Sequence, residues 1–209
     1  MRNYKNHEWD IRGVLKQKNA VPIKYEYTYN EKYDKYGIKN DQLSFLRLGY
    51  ILGVLEKKPQ NILDIGYGNG AFLKACNKTI QKTYGYDISP YPVPKNTERI
   101  NTIFDLEFEC VTLFDCLEHW ENIYELKKIK SKYIIISVPE LHNFTEKEFL
   151  GWRHYRQNEH IWYFTKYGLA NFMKKIGYKL INSSNIEDTI RKPINYKTNI
   201  LTCCFKREI

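Results

Sequence analysis

Two hydrophobic spacings alternate along the chain. Continuous apolar runs over 61–66, 83–87, 110–115 and 132–138 suit short strands, and the last, with Tyr133-Ile134-Ile135-Ile136, suits a strand buried on both faces. Between such runs the apolar residues recur three to four apart. Leu43, Leu46, Tyr50, Val54 and Leu55 predict a helix that starts behind Asp41 as N-cap and ends before Pro59. Further helices are expected over 70–79, 123–129 and 165–176, the last capped by Thr165 and closed by Gly177. A short strand near Ile100 and a final strand pair, Tyr178–Ser184 and Thr198–Lys206, complete the set. Pro90, Pro92 and Pro94 forbid regular structure after the second strand. This alternation predicts an α/β domain with a mostly parallel sheet, right-handed crossovers and helices on both faces. Two segments stand outside the pattern. Residues 1–40 are polar and rich in tyrosine (Tyr25, Tyr27, Tyr29, Tyr33, Tyr36) and are expected to form an irregular or partly helical extension, either a lid over the active site or a tail on the sheet edge, ahead of a main domain at 41–209. Residues 140–164 form a long polar and aromatic insert.

The first strand runs into a glycine turn, Asp64-Ile65-Gly66-Tyr67-Gly68-Asn69-Gly70, and then directly into the apolar start of a helix, Ala71-Phe72-Leu73. Strand, glycine turn and helix form the layout of a loop that cradles a nucleotide, because glycine lets the backbone bend sharply and approach a ligand without a Cβ. The spacing is G-x-G-x-G, not the dinucleotide G-x-G-x-x-G, and no Gly-Lys-Ser or Gly-Lys-Thr closes it as a P-loop would require. Asp87 ends the second strand 17 residues after Gly70. A carboxylate there offers two acceptors to the two hydroxyls of a ribose; the plainer alternative is a turn aspartate. Ligands on such sheets sit beyond the carboxyl ends of the strands.

The glycine loop resembles motif I of the class I S-adenosylmethionine-dependent methyltransferases. Phe114-Asp115-Cys116-Leu117-Glu118-His119-Trp120 resembles the Asp-x-Leu-Glu-His signature of the type 11/type 23 (UbiG-like) group within them. Glu159-His160-Ile161-Trp162-Tyr163-Phe164-Thr165 is similar to that group's His-x-x-Tyr-Phe-Thr helix start, and the likeness spans 61 to about 181. The tail Ser184–Arg191 adds a likeness to uncharacterised phage and bacterial members. The resemblance implies a Rossmann-like doubly wound sheet of about seven strands with an antiparallel last strand, and S-adenosylmethionine as cofactor. It places Asp64, Gly66, Tyr67, Gly68 and Gly70 around the cofactor's amino-acid part and ribose, and Asp87 with Ile88 at the ribose hydroxyls. Asp105 would hold the adenine amine, and Asp115 and Cys116 would lie beside the methionine moiety. The implied reaction is methyl transfer to a small-molecule acceptor, with an oxygen nucleophile expected. An alcohol acceptor benefits from a base, so His119, His160 and His154 are the expected catalytic histidines, with Glu118 either beside them or at the cofactor's ammonium.

Composition narrows the remaining choices. With 209 residues and 43% hydrophobic content, the chain is long enough for one full core. No apolar run approaches the ~20 residues of a membrane helix, so a cytoplasmic protein is expected (host cytoplasm if viral), with no membrane partner. Five scattered cysteines suit reduced packing residues, and Cys203 and Cys204, adjacent in a strand, should face opposite sides. No Cys-x-x-Cys or His-x-x-x-His pair is present, so no metal is expected. The net charge of +9 raises a nucleic-acid substrate as the alternative. It is not favoured, because no Asn-Pro-Pro-Tyr or Asp-Pro-Pro-Tyr follows the fourth strand and no Pro-Cys nucleophile is present. A non-catalytic nucleotide-binding protein is a further reading, opposed by the intact loop with Asp87.

Overall fold

The computed structural model describes residues 2–21, 37–193 and 197–208. The five tyrosines of the N-terminal stretch lie outside the described residues. The main sheet contains β3 (Asn61–Ile65), β4 (Lys82–Tyr86), β5 (Glu98–Arg99), β6 (Glu107–Phe114), β7 (Lys130–Pro139), β9 (Tyr178–Ser184) and β10 (Ile200–Arg207). Its order is β5-β4-β3-β6-β7-β10-β9. Neighbouring strands from β5 to β7 are parallel, and β10 runs antiparallel to both its neighbours. The expected seven-stranded architecture with an antiparallel last strand is therefore present.

The strands are apolar on both faces because helices cover both. On one side α1 (Ile38–Val54) and α2 (Ala71–Cys76) bring Leu48, Ile51 and Phe72 against Ile62, Cys110, Tyr133 and Ile135. On the other, α4 (Lys166–Lys175) brings Leu169, Phe172 and Met173 against Leu63, Val111, Ile134 and Ile136. Alternate residues of one strand thus serve opposite cores. Cys203 joins the second core and Cys204 the first, and all five cysteines are free and buried.

Three expectations change. The first helix starts at Ile38 behind Gly37, three residues before the expected N-cap, and Asp41 sits in its first turn, where an acid favours the helix dipole. The segment Ile123–Lys128 is a 3₁₀ helix, capped by Asn122, and not an α-helix. The third change is the largest. Over residues 7–17 the N-terminal stretch is neither irregular nor helical: β1 (His7–Ile11) and β2 (Val14–Gln17) form a hairpin around Arg12-Gly13. β2 then pairs with β8 (Trp162–Phe164) at the end of the insert, making a separate three-stranded sheet. Tyr4, Leu15, Phe144, Phe149 and Tyr163 pack beneath it, together with α3 (Glu146–Leu150), which a Thr145/Glu148 capping box starts. No described helix is long and apolar enough to cross a membrane.

The hairpin is locked to the start of α4 at one carbonyl. The Thr165 backbone N–H and Oγ1 both donate to the Gly13 carbonyl, at 2.9 and 3.1 Å. A Cβ on Gly168 would stand 1.9 Å from that same oxygen. Gly168→Ala should therefore cost ~1–3 kcal/mol of stability, the scale for overpacking. Urea unfolding that leaves the midpoint unmoved would show that the hairpin does not dock there.

Candidate active site

The glycine loop leaves β3 at its carboxyl end with Gly66, Gly68 and Gly70 all at positive φ (75°, 56° and 74°). Each glycine has its own reason. A Cβ on Gly66 would lie 2.7 Å from Cys116 Sγ, so Cys116 forms the floor of the turn. A Cβ on Gly70 would lie 2.7 Å from Pro94 Cδ. Gly68 has nothing within 4 Å of its Cβ position, so this point of the loop is open to a ligand. Its N–H donates to Asp87 Oδ2 at 2.9 Å, while Asp87 Oδ1 accepts from the Ser89 N–H at 2.7 Å. The Asp87 carboxylate is thereby held beside the open part of the loop, with Ile88 next to it 68% exposed. The proline stretch is ordered by Arg99. Its guanidinium donates to the carbonyls of Asp87, Ser89 and Tyr91 and to Tyr67 Oη. Tyr67 donates in turn to the Tyr91 carbonyl and packs on Gly85, so its side chain braces the loop from behind.

Asp64 is buried and accepts from Thr112 Oγ1 at 2.7 Å. Burial pushes its carboxyl up to about 7 from an ordinary 3.8. A folded pKa above the unfolded one means that the contribution to stability is greatest below about pH 4 and is lost as pH rises through about 7. Asp64→Asn, which does not titrate, should gain stability relative to wild type as pH is raised across that window. A difference in unfolding free energy that stays constant with pH would show Asp64 ionised throughout.

At the end of β6, Asp115 turns the chain with φ 50°. Its carboxylate is engaged by two arginines. It accepts from Arg47 at 2.9 Å and from Arg191 at 2.7 and 2.8 Å, and the two arginines hold it well below the usual carboxylate range. Glu187, fully buried, closes the cluster with bonds from both arginines and from Ser137 Oγ. Two guanidiniums face two carboxylates, so the cluster is neutral. It fastens α1 and the β9–β10 connection to the end of β6. Sequence reasoning missed Arg47, Arg99 and Glu187 as contributors.

Beyond Asp115 a short 3₁₀ turn, Leu117–His119, faces the end of the insert. The Ile161 N–H donates to the Glu118 carbonyl (2.8 Å), His119 Nδ1 pairs with the Glu159 carbonyl (2.7 Å), and Trp162 Nε1 donates to the Trp120 carbonyl (2.7 Å). These bonds set the His119 and His160 rings edge to face with centroids 4.8 Å apart. Glu118, His119 and His160 each offer a ligand-type atom within 4.8 Å of the others. His154 stacks behind His160 at 6.5 Å and bonds Asn199 through Nε2, buried away from the opening. Burial lowers His154 to about 4 and His160 to about 2, and it also lowers His119, so all three imidazoles are neutral at pH 7. Burial, reinforced by Asp115, raises the Glu118 carboxyl well above its ordinary range.

The structure thus gathers Glu118, His119 and His160 beside the Gly66–Cys116 contact and keeps Asp87 and Ile88 at the loop. It does not bring Asp105 there. Asp105 is exposed, two residues before β6 begins, at the amino ends of the strands; the residues leaving β5 beside the loop are Ile100 to Thr102. The expected adenine contact of Asp105 is therefore withdrawn.

The loop and its carboxylate fit the cofactor that the sequence implies. The open Gly68 backbone can lie against the amino-acid and ribose parts, Asp87 can take hydroxyl donors, and the exposed Ile88 can lie against an apolar ring face. Solved structures show the same fold at low identity. A chain from the complex of the Haloferax volcanii Trm112 methyltransferase activator with its candidate methyltransferase is 12% identical, with TM-score 0.62, covering 87% of this chain and 97% of that one. The Burkholderia thailandensis 1,6-didemethyltoxoflavin-N1-methyltransferase, solved with its acceptor and S-adenosylhomocysteine, is 14% identical with TM-score 0.59 over 98% and 100%. The magnesium protoporphyrin IX methyltransferase of Synechocystis PCC 6803, solved with S-adenosylhomocysteine, is 12% identical with TM-score 0.59 over 82% and 84%. No curated protein sequence matches the chain. The methyltransferase domain family matches residues 40–183, from α1 through β9 and including the loop, Asp87, Glu118, His119 and His160, while Glu187 and Arg191 lie outside the match. The chain belongs to that family and is an S-adenosylmethionine-dependent methyltransferase of class I.

Proposed function

We propose that the enzyme methylates a small-molecule acceptor at an oxygen, with the acceptor held between the end of β6 and the 140–164 insert. The observation that carries this reading is the meeting of Glu118, His119 and His160 at the carboxyl end of β6, next to the loop that fits the cofactor. The cofactor supplies an electrophilic methyl group. The chain must position the nucleophile and lower the cost of stripping its proton. His119, the partly exposed member, borders the opening; Glu118 and His160 lie buried beneath it. Trp120, half-buried, bonds Cys116 Sγ beside the same cluster, and Arg153 and Arg156 are exposed on the insert. Aromatic faces and cations of this kind suit a ring-bearing or anionic acceptor. Two of the structural neighbours, named for toxoflavin and protoporphyrin chemistry, act on small ring-bearing molecules, in line with this choice.

The test is an acceptor screen that reads release of S-adenosylhomocysteine, paired with calorimetry of cofactor binding. Asp87→Ala should weaken S-adenosylmethionine binding by ~1–3 kcal/mol, the scale for hydrogen bonds to a charged group. Unchanged affinity in the folded variant would refute the ribose assignment. Tight binding to one defined RNA or DNA at physiological salt, with methyl incorporated into it, would overturn the small-molecule acceptor in favour of the reading that the +9 charge raises.

A further inference from the structure

Glu118 poses a physical problem that the methyl-transfer reading leaves unsolved. It is 1% exposed, and neither carboxylate oxygen bonds another of the described residues. His160, a member of the same cluster, also has a buried Nδ1 without a partner among the described residues. Buried polar atoms without partners are rare because each costs the full desolvation penalty, and three on two side chains of one cluster call for a missing partner. The third member is already oriented. His119 Nδ1 lies 2.7 Å from the Glu159 carbonyl, which fixes the proton on that nitrogen. A backbone carbonyl holding one ring nitrogen is the usual support of a metal-ligating histidine.

We propose that Glu118, His119 and His160 bind one divalent transition-metal cation. Two neutral imidazoles and one carboxylate suit ions of the manganese-to-zinc series better than magnesium or calcium, which prefer oxygen. Three protein ligands leave coordination positions for water or substrate, the pattern of a catalytic rather than a structural site. The ligand atoms lie within 4.8 Å of one another. Metal–ligand bonds of ~2.1 Å require separations of at most roughly 4.2 Å, so the cluster must tighten by about half an ångström. Rotation of the Glu118 side chain supplies this, because its oxygens bond no other described residue. The ion would occupy the acceptor side of the cleft proposed above, and to that extent it deepens that reading; the binding itself does not depend on it. Sequence spacing hid the site because Glu118-His119 and His160 are about 40 residues apart and no paired-histidine motif marks them.

The experiment uses the full chain with any affinity tag removed, stripped of metal and titrated with Co2+. The expected result is one equivalent bound, with visible d–d bands of a nitrogen-and-oxygen site. Glu118→Gln and His160→Gln should each weaken binding at least ~10-fold, and His142→Gln, a change on the other side of the insert, should leave it intact. If His160→Gln fails to fold, Glu118→Gln carries the test alone. It keeps the side chain's shape and replaces a carboxyl that burial already holds against ionisation, so it should fold about as well as wild type without metal. Calorimetry with S-adenosylmethionine on the same preparations separates the two readings: cofactor binding without cobalt binding overturns the metal site and leaves the methyltransferase intact. Cobalt binding that survives Glu118→Gln, or none in wild type beyond that of the Glu118→Gln protein, overturns the proposal.

Discussion

His119→Ala is expected to lower turnover by ~10²–10⁴-fold on the best acceptor from the screen, while S-adenosylmethionine affinity stays within about threefold. The separation follows from where the side chain sits. The glycine loop ends at Gly70, and Asp87, the proposed ribose carboxylate, directly follows β4, on the far side of β3 from β6. His119 follows β6 and is bound to the insert through Glu159, which in the proposed reading sets it on the acceptor's side rather than the ribose's. A change there removes an interaction that matters only as the acceptor proton leaves, which lowers kcat and leaves ground-state cofactor binding nearly untouched. Asp87→Ala should do the reverse, raising the cofactor's Kd first. If His119→Ala weakened cofactor binding as much as turnover, the acceptor would have to lie elsewhere.

The parts of this site that were legible in the sequence are the local ones. Strand, glycine turn and Asp87 fall within 27 residues, and each glycine's φ follows from a turn that must form there whatever surrounds it. Adjacent cysteines on opposite faces follow from the period of a strand alone. Asp105 was misplaced because a loop between a two-residue strand and an eight-residue strand gives no sign of which end of the sheet it has reached. The hairpin had a usable signal, the alternation in His7-Glu8-Trp9-Asp10-Ile11 around Arg12-Gly13. Its partner β8 lies about 150 residues on, however, and no local pattern links them. The ionic cluster was illegible for the same reason: Arg47 meets Asp115 across 68 positions and Glu187 across 140. A charged residue's sequence neighbours do not reveal whether it will be buried against an opposite charge or left in water.

That cluster carries the largest stability effect. Glu187→Ala should cost ~3–5 kcal/mol, because it leaves two buried guanidiniums facing one carboxylate. Glu187 is fully buried, and it accepts from Arg47 at 2.8 and 2.9 Å, from Arg191 at 3.0 Å and from Ser137 Oγ at 2.7 Å. Arg47 is only 12% and Arg191 23% exposed, so neither can hydrate as freely as a surface lysine would. Glu125→Ala is the control. Its pair with Lys128 is 3.0 Å long but about half exposed on both sides, and solvent screening should make its loss unmeasurable. Glu187→Gln should fall between the two, since the amide keeps the size and part of the hydrogen bonding but not the charge. The cost should also reach the active site. Arg47 and Arg191 hold Asp115 at φ 50°, and that turn sets Cys116 under Gly66 and Glu118 beneath His119. Urea unfolding in which Glu187→Ala loses less than ~1 kcal/mol would mean that water enters the cluster and that the β6 end is held by its backbone alone.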